Sequence, residues 1–336
     1  MKTLGLMLLV ACGSVSQEPA ASTASGSAAV VPTGHGKIER TKFASEALGV
    51  TKDLIVYLPA GYESGAKRYP VFYYLHGLGA AETSWLVGGK LDHTADELGV
   101  QAIVVMPDGD NGFYADSKTP TDYAACLEHG TGLFDPSAPK AKTCVRTPRY
   151  ETYLTRDLIA HVDRTYRTIP TREGRGIAGL SMGGLGALSL ALRHPDLYAA
   201  AASHSGVVAL LYAGPQPYQK DNIKLVTDVT QWGGKLGPLG AWVRGIYGPD
   251  LANWQAHDPA TLVGKLGPDG PKLYLDCGTE DEYALHNAAA YVHDLLDARK
   301  IEHTYFSGPG GHDMGFWGAR LPHSLAFLRK HTAPAN

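Results

Sequence analysis

Gly174-Arg175-Gly176-Ile177-Ala178-Gly179-Leu180-Ser181-Met182-Gly183-Gly184-Leu185-Gly186-Ala187-Leu188 carries the sharpest local signal in the chain. The run Gly176 to Leu180 is short and apolar on consecutive positions, as a strand covered on both faces should be. Met182 onward reads as a helix, with Leu188, Leu190 and Leu192 behind the glycines. Between the two lies Gly179-Leu180-Ser181-Met182-Gly183, a G-x-S-x-G arrangement. A serine placed there occupies a strained strand-to-helix turn with its oxygen exposed, and the flanking glycines let the backbone pack closely around it. The helix N-terminus beneath favours developing negative charge. Residues 174 to 179 also satisfy G-x-G-x-x-G, but they enter a strand instead of following one, so the dinucleotide reading is discarded.

Outward from this stretch, short apolar runs alternate with helical patterns. Leu54–Leu58, Val71–Leu75, Ala102–Met106, Gly176–Leu180, Ala199–Ser203, Lys272–Cys277 and Thr304–Phe306 read as strands. Lys90–Leu98, Tyr153–Tyr166, Met182–Arg193, Leu285–Arg299 and Phe316–Arg329 read as helices. In the second helix Leu154, Leu158, Ile159, Val162 and Tyr166 share one face. The alternation predicts an α/β fold, a mostly parallel central sheet with helices on both faces. Asp110–Arg149 and Val207–Pro271 break the rhythm and read as loops above the sheet, where α/β proteins place their sites. Asp157 and His161 are four apart like a metal pair, but the pattern assigns them to a solvated helix face.

The chain has 336 residues, 44% hydrophobic, enough for a sizeable core. With 30 basic against 33 acidic residues it offers no basic field for phosphate backbones, which argues against nucleic acid as the main partner. Leu4 to Ala11 is an apolar run too short to span a bilayer and reads as a secretory signal. Leu9-Val10-Ala11-Cys12 resembles a bacterial lipobox, in which Cys12 is lipidated; the alternative is cleavage after a small-residue pair downstream. Residues 13–36, rich in Ser, Ala, Thr, Gly and Pro, read as a flexible linker, and 37–332 as the folded domain. The membrane is then met only through the lipid anchor. In an exported protein, Cys126 and Cys144, 18 positions apart, are expected to staple a long loop, with Cys277 buried and free. No paired Cys/His spacing points to zinc.

A hydroxyl needs a base, and the base an orienting carboxylate. The expected chain order is Ser, acid, His. Of fourteen histidines, His312 stands out in Gly308-Pro309-Gly310-Gly311-His312, after the last strand and before the final helix. His204 competes but comes too early. Asp276-Cys277-Gly278-Thr279-Glu280-Asp281-Glu282 offers the acid; Asp281 lies past the strand end, with Glu280 the runner-up. The oxyanion donors are expected from Met182 N–H and from Leu78 N–H in His76-Gly77-Leu78-Gly79.

His76-Gly77-Leu78, Gly179 to Gly184, Gly278-Thr279-Glu280-Asp281 and Gly310-Gly311-His312-Asp313-Met314-Gly315-Phe316-Trp317 together resemble the esterase D family of α/β-hydrolases. That family includes S-formylglutathione hydrolases, feruloyl esterases and mycobacterial mycolyltransferases. The resemblance implies the α/β-hydrolase fold, with Ser181 as nucleophile, Asp281 as acid, His312 as base, and Leu78 and Met182 as oxyanion donors. Val104-Val105-Met106-Pro107, Phe113-Tyr114 and Glu151 to Arg156 resemble the mycolyltransferases further. That subfamily takes its acid, a Glu, from a different position, so Asp281 leans toward the esterases. The expectation is an exported serine carboxylesterase acting through an acyl-enzyme on a small-molecule or polysaccharide-linked ester, a feruloyl-type aryl ester being one candidate. It needs no cofactor. The rivals are an acyltransferase and a non-catalytic binding module. Tyr114, Tyr123, Trp232, Trp242 and Trp254 are candidates for the acyl site, with core packing as the alternative.

Overall fold

The computed structural model describes residues 34–130 and 139–336. The segment read as a signal peptide, Cys12 and nearly all of the segment read as a linker lie outside the described residues. His35 and Gly36, expected to end the linker, contact the domain: His35 Nδ1 lies 3.0 Å from Asp96 Oδ2, and Gly36 N–H donates to Asp96 Oδ1 at 2.8 Å.

Among the described residues eight strands form one sheet: β1 (Lys37–Ser45), β2 (Val50–Leu58), β3 (Val71–Leu75), β4 (Ile103–Pro107), β5 (Arg175–Leu180), β6 (Ala200–His204), β7 (Lys272–Gly278) and β8 (His303–Gly308). Their spatial order is β1-β2-β4-β3-β5-β6-β7-β8. The β1–β2 and β2–β4 pairs are antiparallel and all the others parallel. The interior strands β3 and β4 are apolar on consecutive positions and fully buried, as expected of strands covered twice. In β3, Val71, Tyr73 and Leu75 enter one core while Phe72 and Tyr74 enter the other, the period of two that a pleated strand imposes.

Among the described residues seven helices have seven residues or more: α1 (Leu91–Glu97), α2 (Tyr123–His129), α3 (Ile159–Thr165), α4 (Met182–Arg193), α5 (Pro238–Tyr247), α6 (Leu285–Ala298) and α7 (Met314–His331). The first core joins α4 (Leu185, Leu188), α3 (Val162) and α6 (Val292, Leu296) to the sheet. The second joins α1 (Leu91, Ala95) and α7 (Leu321, Leu325, Leu328). Each such Leu or Val side chain is worth about 1.5–3 kcal/mol when fully buried.

Three expectations are corrected. β1 is a strand that the apolar pattern does not reveal: it is an edge strand, and of its nine residues only Phe43 and Ser45 are buried. The two long connections hold helices α2 and α5 besides loops. The glycines that suggest a loop in α5 serve close packing instead, since a Cβ at Gly240 would sit 2.1 Å from the Gly233 carbonyl oxygen. Asp157 and His161 do not form a solvated face. Asp157 Oδ2 accepts from Ser45 Oγ at 2.7 Å and Ala47 N–H at 2.8 Å, and the His161 ring stacks on Phe43 at 4.6 Å. The pair holds the β1–β2 turn.

The chain leaves β3 for β4 on one side, then returns to place β5 on the other. That switch point opens a crevice beyond the carboxyl ends of β3 and β5, where α/β folds bind ligands.

Candidate active site

Ser181 stands at the end of β5, where the backbone turns into α4 with φ 54° and ψ −117°. A non-glycine residue in this region carries about 1–3 kcal/mol of strain and must be held by its surroundings. Here Ser181 N–H donates to His204 O at 2.9 Å, and its carbonyl accepts from Leu185 N–H at 3.1 Å. The elbow glycines are demanded by close approach. A Cβ on Gly179 would lie 2.2 Å from Gly183 O, and one on Gly183 would lie 2.4 Å from Leu75 O.

The Ser181 hydroxyl faces His312 Nε2 at 2.8 Å, and His312 Nδ1 faces Asp281 Oδ2 at 2.7 Å. The three residues come from the ends of β5, β7 and β8. Thr279 N–H bonds to Gly308 O at 2.8 Å and Glu280 N–H to Gly310 O at 2.9 Å, so the turn carrying the acid and the loop carrying the histidine are fastened together. A Cβ on Gly278 would strike Gly310 O at 2.1 Å, which explains the small residue there.

The Asp281 side chain is fully buried. Burial pushes its carboxyl up, but the His312 hydrogen bond and charge, with the N–H groups of Leu285 and Tyr283, outweigh that and hold it below the usual carboxylate range. This arrangement suits an acid that stays ionised, directs Nδ1–H toward itself and leaves Nε2 to accept the serine proton.

The structure also places residues that the sequence reading did not assign. Tyr283 and Trp317 meet the His312 ring edge-on, each at 4.9 Å, and Glu282 accepts from His312 N–H at 3.1 Å. Exposed Tyr283 gives no sequence signal of such a role. Glu280, the runner-up acid, points to solvent.

The loop after β3 crosses the elbow. A Cβ on Gly77 would meet Leu180 Cδ1 at 2.6 Å and Ser181 Cβ at 3.4 Å, so the loop that leads into Leu78 lies against the serine. Met182 follows Ser181 as the first residue of α4. Three groups set the loop's path. His76 Nδ1–H donates to Gly77 O at 2.8 Å while His76 Nε2 accepts from Gly109 N–H at 2.9 Å. Tyr114 O–H donates to His76 O at 2.8 Å, and Asn111 Oδ1 accepts from Gly79 N–H at 2.8 Å. Beneath, Lys52 is fully buried with its Nζ 2.7 Å from Asp110 and 3.1 Å from Asp108. Burial disfavours its charge, but the two carboxylates reverse this and raise its pKa.

A cavity of about 1000 Å³ begins at Gly79-Ala80-Ala81, one residue beyond Leu78, and runs between α5 and the loop that Cys126 and Cys144 close. Ser181 and His312 do not line it; Trp242, Ile246, Val145 and Tyr150 do. Of the five candidate aromatics, Trp242 alone is among its walls, fixed by a 3.0 Å bond from its indole N–H to Asn111 O. Tyr114 and Trp254 are core residues. Trp232 packs on Trp254 at 5.1 Å, and Arg146 covers the Tyr123 ring. Cys126 and Cys144 are joined in a disulfide, and Cys277 is buried and free.

Residues 45–328 match the Esterase family, described as "Putative esterase". The chain is 27% identical over 278 residues to a diacylglycerol acyltransferase/mycolyltransferase Ag85A of Mycobacterium gordonae, covering 77% of this chain and 72% of that one. It is 33% identical over 169 residues to an endo-1,4-beta-xylanase/feruloyl esterase of Xylanibacter ruminicola, which covers 49% of this chain but only 21% of that protein. In fold it matches an S-formylglutathione hydrolase from Agrobacterium tumefaciens with a TM-score of 0.67, at 20% identity over 89% of this chain and 96% of the other. The family match spans nearly the whole described domain, and its fold is the one seen here. The chain therefore belongs to the esterase family and is a carboxylic ester hydrolase of the α/β-hydrolase fold.

Proposed function

We propose that this protein is an exported serine carboxylesterase that works through an acyl-enzyme. The observation that carries the reading is the unbroken hydrogen-bonded series from Ser181 through His312 to Asp281. His312 takes the hydroxyl proton as Ser181 Oγ attacks the ester carbonyl carbon. Asp281 keeps the ring in the productive tautomer and stabilises its cation. The amides of Leu78 and Met182 donate to the tetrahedral oxyanion, and the electrostatic field of the α4 N-terminus adds to them. Collapse expels the alcohol, which takes the proton from His312. Water, activated by the same ring, then releases the acid.

The ester is proposed to be a polysaccharide-linked or small aryl ester of the feruloyl type, a reading supported by the feruloyl esterase relative. The Cys126–Cys144 bridge fits an oxidising compartment, and the N-terminal apolar run ending at Cys12 fits export with a lipid anchor. A second reading, transfer of the acyl group to an alcohol instead of water, is favoured by the acyltransferase relative, which matches over most of both chains. Purified protein should label with a fluorophosphonate probe and release free acid from an aryl ester. Added glycerol or trehalose should leave free acid as the main product. Labelling that persists in Ser181→Ala would overturn the nucleophile, and a dominant new ester would decide for transfer.

A further inference from the structure

Far from Ser181, α6 and β8 bring together three side chains that the esterase reading does not use. His293 and Asp297 are one turn apart on α6, and His303 opens β8. One ligand atom from each lies within 4.8 Å of the others. His293 Nδ1 is 2.7 Å from His303 Nε2, and Asp297 Oδ1 is 3.9 Å from that same nitrogen. A helix-surface ion pair would need no more than His293 and Asp297. His303 adds a different feature. Its side chain is only 4% exposed, and its Nδ1–H donates to Ile301 O at 2.8 Å, which directs the lone pair of Nε2 into the cluster. This is the tautomer lock that metal-binding histidines use. The His293 ring is in turn held flat against Tyr305, at 4.2 Å and 15°.

We infer that His293, Asp297 and His303 form a binding site for a divalent transition-metal ion of the zinc class, with solvent in the fourth position. Two imidazoles and one carboxylate suit such an ion and not Mg²⁺ or Ca²⁺, which require oxygen ligands. Bonds of about 2.0–2.1 Å place neighbouring tetrahedral ligands roughly 3.3 Å apart. The two ring nitrogens must therefore separate by a few tenths of an ångström, a small rotation for half-exposed His293. As the ion enters, His293 Nδ1 gives up its proton and His293 Nε2 takes one from solvent, so that both imidazoles bind as neutral ligands. The bound ion ties α6 to the start of β8. His312 lies beyond the other end of that strand, on the order of 17 Å away, so the ion acts on stability and not on the ester.

The test uses the full chain, stripped of metal, and Zn²⁺ alone. Calorimetric titration should show one saturable site, and Tm should rise by about 5 °C at a hundredfold excess over Kd. Mg²⁺ and Ca²⁺ should leave Tm unchanged. Asp297→Asn, on an exposed side chain that tolerates change, should weaken Kd by about tenfold or more, and His303→Gln should abolish the site. Absence of saturable Zn²⁺ binding would overturn the proposal. So would a Kd left unchanged by Asp297→Asn, even if His303→Gln failed to fold.

Discussion

Two histidine–aspartate pairs lie near each other at the carboxyl end of the sheet. In one, Asp281 and His312 sit in turns past β7 and β8, and the second ring nitrogen reaches Ser181. In the other, His204 and Asp276 sit in the last turns of pleat of β6 and β7, with His204 Nδ1 3.0 Å from both carboxylate oxygens. Both residues of this second pair are fully buried. Asp276 also accepts from Tyr274 O–H at 2.7 Å and Arg320 Nε–H at 3.2 Å. His204 is boxed between Trp85 and Tyr274, and its Nε2 has no hydrogen-bond partner among the described residues. The chemistry of the pair is the same in both places. In the loop pair the second ring nitrogen of the histidine meets the partly exposed Ser181 hydroxyl, while the pair inside the strands supports the backbone that holds Ser181 through the His204 carbonyl.

The largest expected effect tests the loop pair as a catalytic unit. Ser181→Ala should fold normally and lose on the order of 10³-fold or more in kcat, and His312→Ala a similar factor. The double variant should be little slower than either single one. Additive losses on a test ester would show that the two residues act independently, and the contrast between the pairs would lose its basis.

The strand pair should respond in the opposite way. His204→Ala removes a sealed ring and leaves a buried carboxylate short of one partner, at a cost of about 3 kcal/mol in stability. Its kcat should fall by less than tenfold, because the Ser181 N–H bond goes to the His204 backbone and survives. Urea unfolding alongside ester hydrolysis would separate the two quantities. A kcat loss comparable to that of His312→Ala, with the urea midpoint unmoved, would place His204 in the chemistry.

The legibility of these two pairs in the sequence differs for a physical reason. The order of Ser181, Asp281 and His312 after strand-like runs marks a set that can converge at one sheet edge, because each follows the end of a covered, apolar strand. His204 could be set aside only by its position, since nothing in Ser203-His204-Ser205-Gly206 says that tertiary packing seals it. The covered strands were readable from their apolar runs, whereas β1 was not, because an edge strand carrying Lys37, Glu39, Arg40 and Lys42 has the composition of a loop. Helix α5 was hidden because glycine there marks close approach, not a turn. Asn111 and Tyr283 were not legible as site residues at all, and Trp317 stood inside the resembling segment with no role assigned to it. Their roles depend on distances between segments far apart in the chain, and the local pattern holds no trace of them.

The smallest expected effect distinguishes the pairs by acid. The Asp281 carboxyl is held below its unfolded value near 3.9, so its bonds to His312 and to the backbone stabilise the fold fully above that pH. The contribution is lost as pH falls through the depressed folded value, because protonation then takes place in both states. Asn at this position cannot titrate. Asp281→Asn should therefore be less stable than the parent by about 2 kcal/mol at neutral pH, the usual net worth of a hydrogen bond to a charged group. The gap should begin to close once the pH drops below about 4 and continue to narrow under stronger acid. Urea midpoints at a series of pH values would show it. A gap that stayed constant from neutral pH down to strong acid would mean that the ionised carboxylate contributes nothing to folding. Asp281 would then serve the reaction alone, and the two aspartates would divide their work more sharply than the geometry of the fold implies.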